Sequence, residues 1–405
     1  MSRLLPSGEI ETKPPTPAPK FALFNLAFRP FFLFGSLFSL LAILLWAFVF
    51  PMKVQIELYG GTLWWHIHEM LFGFVTAIVA GFLLTAVQNW SGVPGIKGKA
   101  LFGLFFIWLL ARILMFLPSY LNHWLIASID LLFLPAAAIA LAYPIIKTKL
   151  WRNLMFIPIL LGMTAANLML HKAVLYSQPE LLYTASNAMI FLVVLLMCIL
   201  GGRVFPMFTA NGTQTRRVNS ILAIEVASII SVILVLLIHV LPFEFSSQIK
   251  SGLYFFAATV HAIRAARWRI WVTFKTPLVW SLHLSYWCIV LGFFLFGLNE
   301  TLGWVSRSQA IHTLTIGAMS GMILSMVSRV SLGHTGRNIA VGRLMSIAFT
   351  ALFLAFVVRV LGHHVIDDYF HMINLAVAFW AIAFICFIWN YLPILISPRL
   401  DGKPG

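Results

Sequence analysis

Two stretches set histidines at the mouths of apolar spans. One reads Trp64-Trp65-His66-Ile67-His68-Glu69 and runs into apolar sequence ending near Val87. The other begins at Ile311-His312, passes Gly317 and Gly321, and leaves as Ser331-Leu332-Gly333-His334-Thr335-Gly336-Arg337. An ionisable side chain in hydrocarbon is costly unless it is paired or metal-bound, so such histidines mark candidate sites. Neutral imidazole is also a common protein ligand of metals, haem iron and copper among them. The chemistry on offer is a buried metal or proton site.

Each histidine has competing readings. On a helix, His66 and His68 point about 200° apart and cannot share one metal without a local break. The face of His66 continues through Gly73, Ala77 and Ala80, a small-residue stripe that admits a flat macrocycle or a neighbouring helix. The pair therefore reads as metal or haem ligands, as a polar helix end, or as a proton relay with Glu69. His312 reads as a ligand, while Gly317 and Gly321 make a G-x-x-x-G packing device. His171, one turn after Asn167, is a metal ligand or an interfacial polar residue. His261 and His283 flank the loop Arg264–Lys275 at similar depth and together could hold a second metal or haem. Hydrogen-bonded core residues or a proton path are the alternatives for them. Arg203 and Arg329, inside spans, need an anion partner such as a haem propionate. His123, His239, His363, His364 and His371 border loops and read as solvated; His334 suits an anion-capturing or helix-capping turn with Arg337.

These residues must be positioned by membrane helices. Of 405 residues, 61% are hydrophobic and 10% charged, against roughly a quarter charged in soluble domains; mean hydropathy is +0.95. Apolar runs long enough to cross about 30 Å of hydrocarbon fall near 28–50, 66–88, 100–117, 123–146, 152–176, 185–208, 219–241, 248–267, 277–299, 309–331, 343–361 and 368–397. An all-α polytopic membrane protein of about twelve helices follows, with a transmembrane domain over 21–398. The proline-rich residues 1–20 read as a disordered cytoplasmic tail, not a cleaved signal peptide, and 399–405 as a second cytoplasmic tail. The net charge of +15 does not point to nucleic acid, because the basic residues sit in short loops between spans. They concentrate in the tails and even-numbered loops, which places both termini in the cytoplasm. Cys198, Cys288 and Cys386 lie within apolar spans and read as small buried hydrophobes. No P-loop, dinucleotide fingerprint, C-x-x-C-H haem attachment site or H-E-x-x-H zinc helix is present.

At these residues the chain resembles the NnrS family of bacterial membrane proteins. The pieces that carry the resemblance are Phe28-Arg29-Pro30-Phe31-Phe32, the run from Trp65 to Phe74, the run from Ala80 to Ala86, Gly202-Arg203-Val204 and the block His312 to Arg337. The resemblance implies a haem- and copper-containing protein of the cytoplasmic membrane, linked to denitrification and to resistance against nitric oxide and nitrosative stress. Haem b and copper are the implied cofactors; the lipid bilayer and nitric oxide are the implied partners. A weaker likeness to haem–copper oxidase and nitric oxide reductase core subunits rests on early histidines in spans 2 and 10. It departs at spans 6 and 7, where only His239 is available. A secondary transporter of a metal or small metabolite is the alternative of a different class.

Overall fold

A computed structural model describes residues 21–402. The expected tail 1–20 and the last residues of the C-terminal tail, 403–405, lie outside the described residues. Among these, twelve helical rods and no strand are found. They are α1 (Phe28–Val49), α2 (Thr62–Ser91), α3 (Gly98–Leu114), α4 (His123–Lys147), α5 (Trp151–Leu175) and α6 (Glu180–Thr213). Then follow α7 (Leu222–Val240), α8 (Ser247–Arg267), α9 (Pro277–Leu302), α10 (Arg307–His334), α11 (Arg343–His364) and α12 (Tyr369–Ile396). Each coincides with one expected span to within five residues at either end. Ten are long and apolar enough to cross a membrane. The exceptions are α3, at 17 residues, and α8, whose turns carry Lys250, His261, Arg264 and Arg267. The chain is an all-α, multi-pass membrane protein.

Local chemistry sets the rod ends. Asn122 caps α4 by accepting from Trp124 N, and Asp368 caps α12 by accepting from Phe370 N and His371 N. Ser306 and Gln309 form a reciprocal capping box at the start of α10. Gly92 and Gly303 end α2 and α9 in the left-handed conformation that favours glycine. Consecutive rods pack on one another, α2 and α3 least closely; α12 returns to α1 and closes the circuit. Inside lie α2, α6 and α10, in mutual contact. They are the most enclosed of the apolar rods. Two of the three carry the histidine mouths.

Those two rods share an irregularity. The α-helix of α2 gives way to a π-helix over Glu69–Val75, directly after His68, and that of α10 over Thr313–Ser320, directly after His312. A π turn holds more than the α-helical 3.6 residues and commonly marks a functional site. The stripe beyond His66 meets a neighbouring helix: Gly73 lies against Phe38 and Ala77 against Gly35, both on α1. Gly317 and Gly321 likewise let α9 approach, since a Cβ there would stand 2.8 Å from Cys288 Sγ and 2.5 Å from Ser285 Oγ.

Candidate metal centre

Antiparallel succession brings the start of α2, the end of α3, the start of α4 and the end of α5 to one end of the bundle. Five buried ionisable groups meet there. Asp130, on α4, directs Oδ2 at His68 Nε2 (3.1 Å) and at His171 Nε2 (3.1 Å). Its other oxygen, Oδ1, accepts from Arg112 Nη2. Arg112 also donates to both oxygens of Glu69, each at 2.8 Å. Glu69 Oε1 lies 3.0 Å from His68 Nδ1. Asn167 donates to Asp130 Oδ2 at 2.6 Å and presents its own oxygen to His68 Nε2 at 3.0 Å. Trp64 stacks on the His68 ring, 4.5 Å between centroids and 9° from parallel. Tyr59 OH stands 3.3 Å from His171 Nδ1.

The hydrogen bonding is unusual in its balance. Both ring nitrogens of His68 face acceptors only, so both are satisfied only when His68 is imidazolium or when a cation takes a proton's place. With His68 charged, two carboxylates meet two cations and the buried cluster is neutral. The donor atoms of His68, Asp130 and His171 all lie within 4.8 Å of one another, the arrangement a metal ion needs. Separations near 3.1 Å approach the edge of about 3.3 Å expected for a tetrahedron with bonds of about 2.0 Å. Around these three, Glu69 behind His68 and Tyr59 behind His171 would orient the ligating rings. Gly73 makes room: a Cβ there would lie 2.8 Å from Glu69 Oε2 and 2.9 Å from Arg112 Nη1.

A second group lies beside the first. His66, on the opposite side of α2 from His68, stacks on Trp46 at 4.0 Å. Its Nδ1 is buried without a hydrogen-bond partner. His312 Nδ1 is held by the Ser308 carbonyl at 2.7 Å, which leaves Nε2 for a metal. Arg359 reaches the turn of His312 from α11. It donates to Ser308 Oγ at 3.1 Å, and no carboxylate pairs with it among the described residues.

The profile of the NnrS protein family matches residues 22–399, nearly the whole described chain. The chain belongs to the NnrS family. No curated protein matches it. Family membership supports a membrane protein of the nitric oxide response in general.

In this NnrS family member the remaining expected residues fall at the opposite end. His261 bonds Tyr286 OH at 2.7 Å, and Arg264 joins Tyr286 to Glu225. His283 bonds Thr209 Oγ1 at 2.7 Å. The two imidazoles thus have separate partners, and the grouping of metal-type donors among the described residues includes neither. Arg203 donates to Asn153 Oδ1 at 2.9 Å, and Arg329 lies over the Phe208 ring at 3.8 Å. Both arginines are far from the histidine mouths. Reasoning from histidines missed Arg112, Asp130 and Arg359. Their signal was a lone charge inside an apolar run.

Proposed function

We propose that this protein is a haem- and copper-binding protein of the bacterial cytoplasmic membrane, with both termini in the cytoplasm, acting against nitric oxide and nitrosative stress. The observation that carries the reading is the convergence of His68, Asp130 and His171 on one point, charge-balanced by Glu69 and Arg112. Two imidazoles and one carboxylate make a donor set suited to a divalent first-row metal, copper among them, and the choice of copper follows the family resemblance. The neighbouring pair fits haem: His66 offers an orphaned nitrogen, His312 is fixed with Nε2 free, and Arg359 is a cation without a carboxylate, ready for a propionate. Haem iron would supply a coordination position for a diatomic gas, and copper a redox-active centre beside it. The chain's own part is to orient the ligand rings, through Ser308, Glu69 and Tyr59, and to exclude water by burial.

The test is iron and copper analysis with visible spectra of the purified full chain. His312→Ala should lower bound haem or move its Soret band with copper retained. Asp130→Asn should lower copper with haem retained. Unchanged spectra and metal content in both variants would refute the assignment. Metal-free protein that moves metal ions across proteoliposomes would favour the transporter instead.

A further inference from the structure

Between α1, α2, α6 and α10 lies a cavity of about 70 Å³ with a wholly apolar lining. Its wall includes Phe32, Val79, Val193, Phe205, Met319 and Met322. Half-buried Phe82, Leu200 and Ile323 form its outer lip. Along the two histidine-bearing rods it begins at the last residues of the π stretches, with Met319 seven residues past His312 and Val75 nine past His66. At the far end, Arg329 over Phe208 stands one turn beyond the lining residues Met326 and Phe205.

The contents of this space follow from its chemistry. A water molecule needs two to four polar partners, and this lining offers none, so the cavity stays dry. Dry apolar cavities take up apolar guests such as xenon. An empty one forfeits dispersion contacts that a small guest would restore. The volume is several times the roughly 10–15 Å³ that a water-sized molecule needs, so molecules of diatomic size fit. Four thioethers, from Met197, Met319, Met322 and Met326, give the wall a polarizable, adaptable surface.

We propose that this cavity is a binding site for a small apolar gas molecule, taken up from the hydrocarbon of the bilayer and held below the histidine end. The inference rests on the proposed function only for the identity of the gas, nitric oxide.

The experiment uses the full chain in lipid nanodiscs, labelled with 13C at the methionine methyls, under increasing xenon pressure. The methyl signals of Met197, Met319, Met322 and Met326 should shift and saturate, while exposed Met52 shows no saturable change. Val193→Phe should reduce those shifts at least fivefold, with helicity and melting temperature retained. Val79→Phe fills the space from another wall and should do the same. Absence of a saturable shift at the four methyls, or its persistence in both filled variants, overturns the proposal. Nitric oxide, being paramagnetic, is the second probe. It should broaden the same four signals; broadening confined to other methionines refutes it as the occupant. Neither measurement requires bound haem or copper, so a chain lacking both would sink the proposed function and leave this one standing.

Discussion

Replacing Arg112 with methionine removes the cation that joins two carboxylates, and its cost can be worked from the geometry. Arg112 donates twice to Glu69, at 2.8 Å each, and once to Asp130. An interhelical hydrogen bond within a membrane is worth about 0.6 kcal/mol on average, so the three alone give roughly 2 kcal/mol. Charge adds to this, since Glu69 and Asp130 would face only the His68 imidazolium. Breaking a buried ion pair by removing one partner costs about 3–5 kcal/mol, which is the expected loss. Glu69→Gln in the same chain restores neutrality, because Asp130 then balances His68 alone. The double variant should therefore recover at least about 1 kcal/mol relative to the sum of the single changes. Unfolding in mixed micelles with graded SDS, followed by far-ultraviolet circular dichroism, reads all four corners of the cycle. An Arg112→Met chain within about 1 kcal/mol of the parent, well short of the buried-pair cost, or a double variant no better than additive, would refute the reasoning.

Other expectations follow from the same contacts. Gly73→Ala should cost about 1–3 kcal/mol, the usual penalty for overpacking, read in the same unfolding assay; an unchanged midpoint would mean the ion pair has room to move. His261→Ala with His283→Ala should lower stability by about 1–3 kcal/mol per orphaned partner while iron and copper content stay constant by elemental analysis. Loss of a metal in that double variant would instead place a site at the arginine-rich end. Reporter fusions at Lys147–Arg152 and at Asp367–Asp368 should read opposite sides of the membrane, cytoplasm and periplasm respectively. Equal readings at both would break the alternation of the rods.

Much of the architecture was legible because a membrane span announces itself by length and apolarity, and each of the twelve expected runs coincides with a rod. The histidine mouths were legible for the same reason, as polar residues where polarity is costly. The polar cluster around Asp130 was not. Asp130 lies 62 residues from His68 and 18 from Arg112, and only the packing of α3, α4 and α5 around the start of α2 brings them together. Arg112 within Leu110-Ala111-Arg112-Ile113 and Asp130 within Ser128-Ile129-Asp130-Leu131 did carry a signal of their own. A lone arginine and a lone aspartate in neighbouring apolar spans each need a partner, and each other is the economical choice. The protein neighbours of Arg203 and Arg329, an asparagine and a phenyl ring, were not legible either, because depth along a span does not say which neighbours stand at that depth. Arg359, unremarked in sequence, is the arginine that meets the turn holding His312.

The two π-helical stretches make the aim of each histidine turn a matter of one residue. A π turn accommodates an extra residue within an otherwise α-helical rod. Deleting any single residue within Glu69–Val75 would let α2 close into a continuous α-helix, still long enough to span. It would also swing His66 and His68 by about 100° relative to everything beyond Thr76, taking His68 away from Asp130. The same holds for Thr313–Ser320 and His312. Length variation of one residue at these two places, neutral to insertion in the membrane, would dismantle the histidine cluster, so they are where a chain of this fold could lose that grouping while keeping its shape.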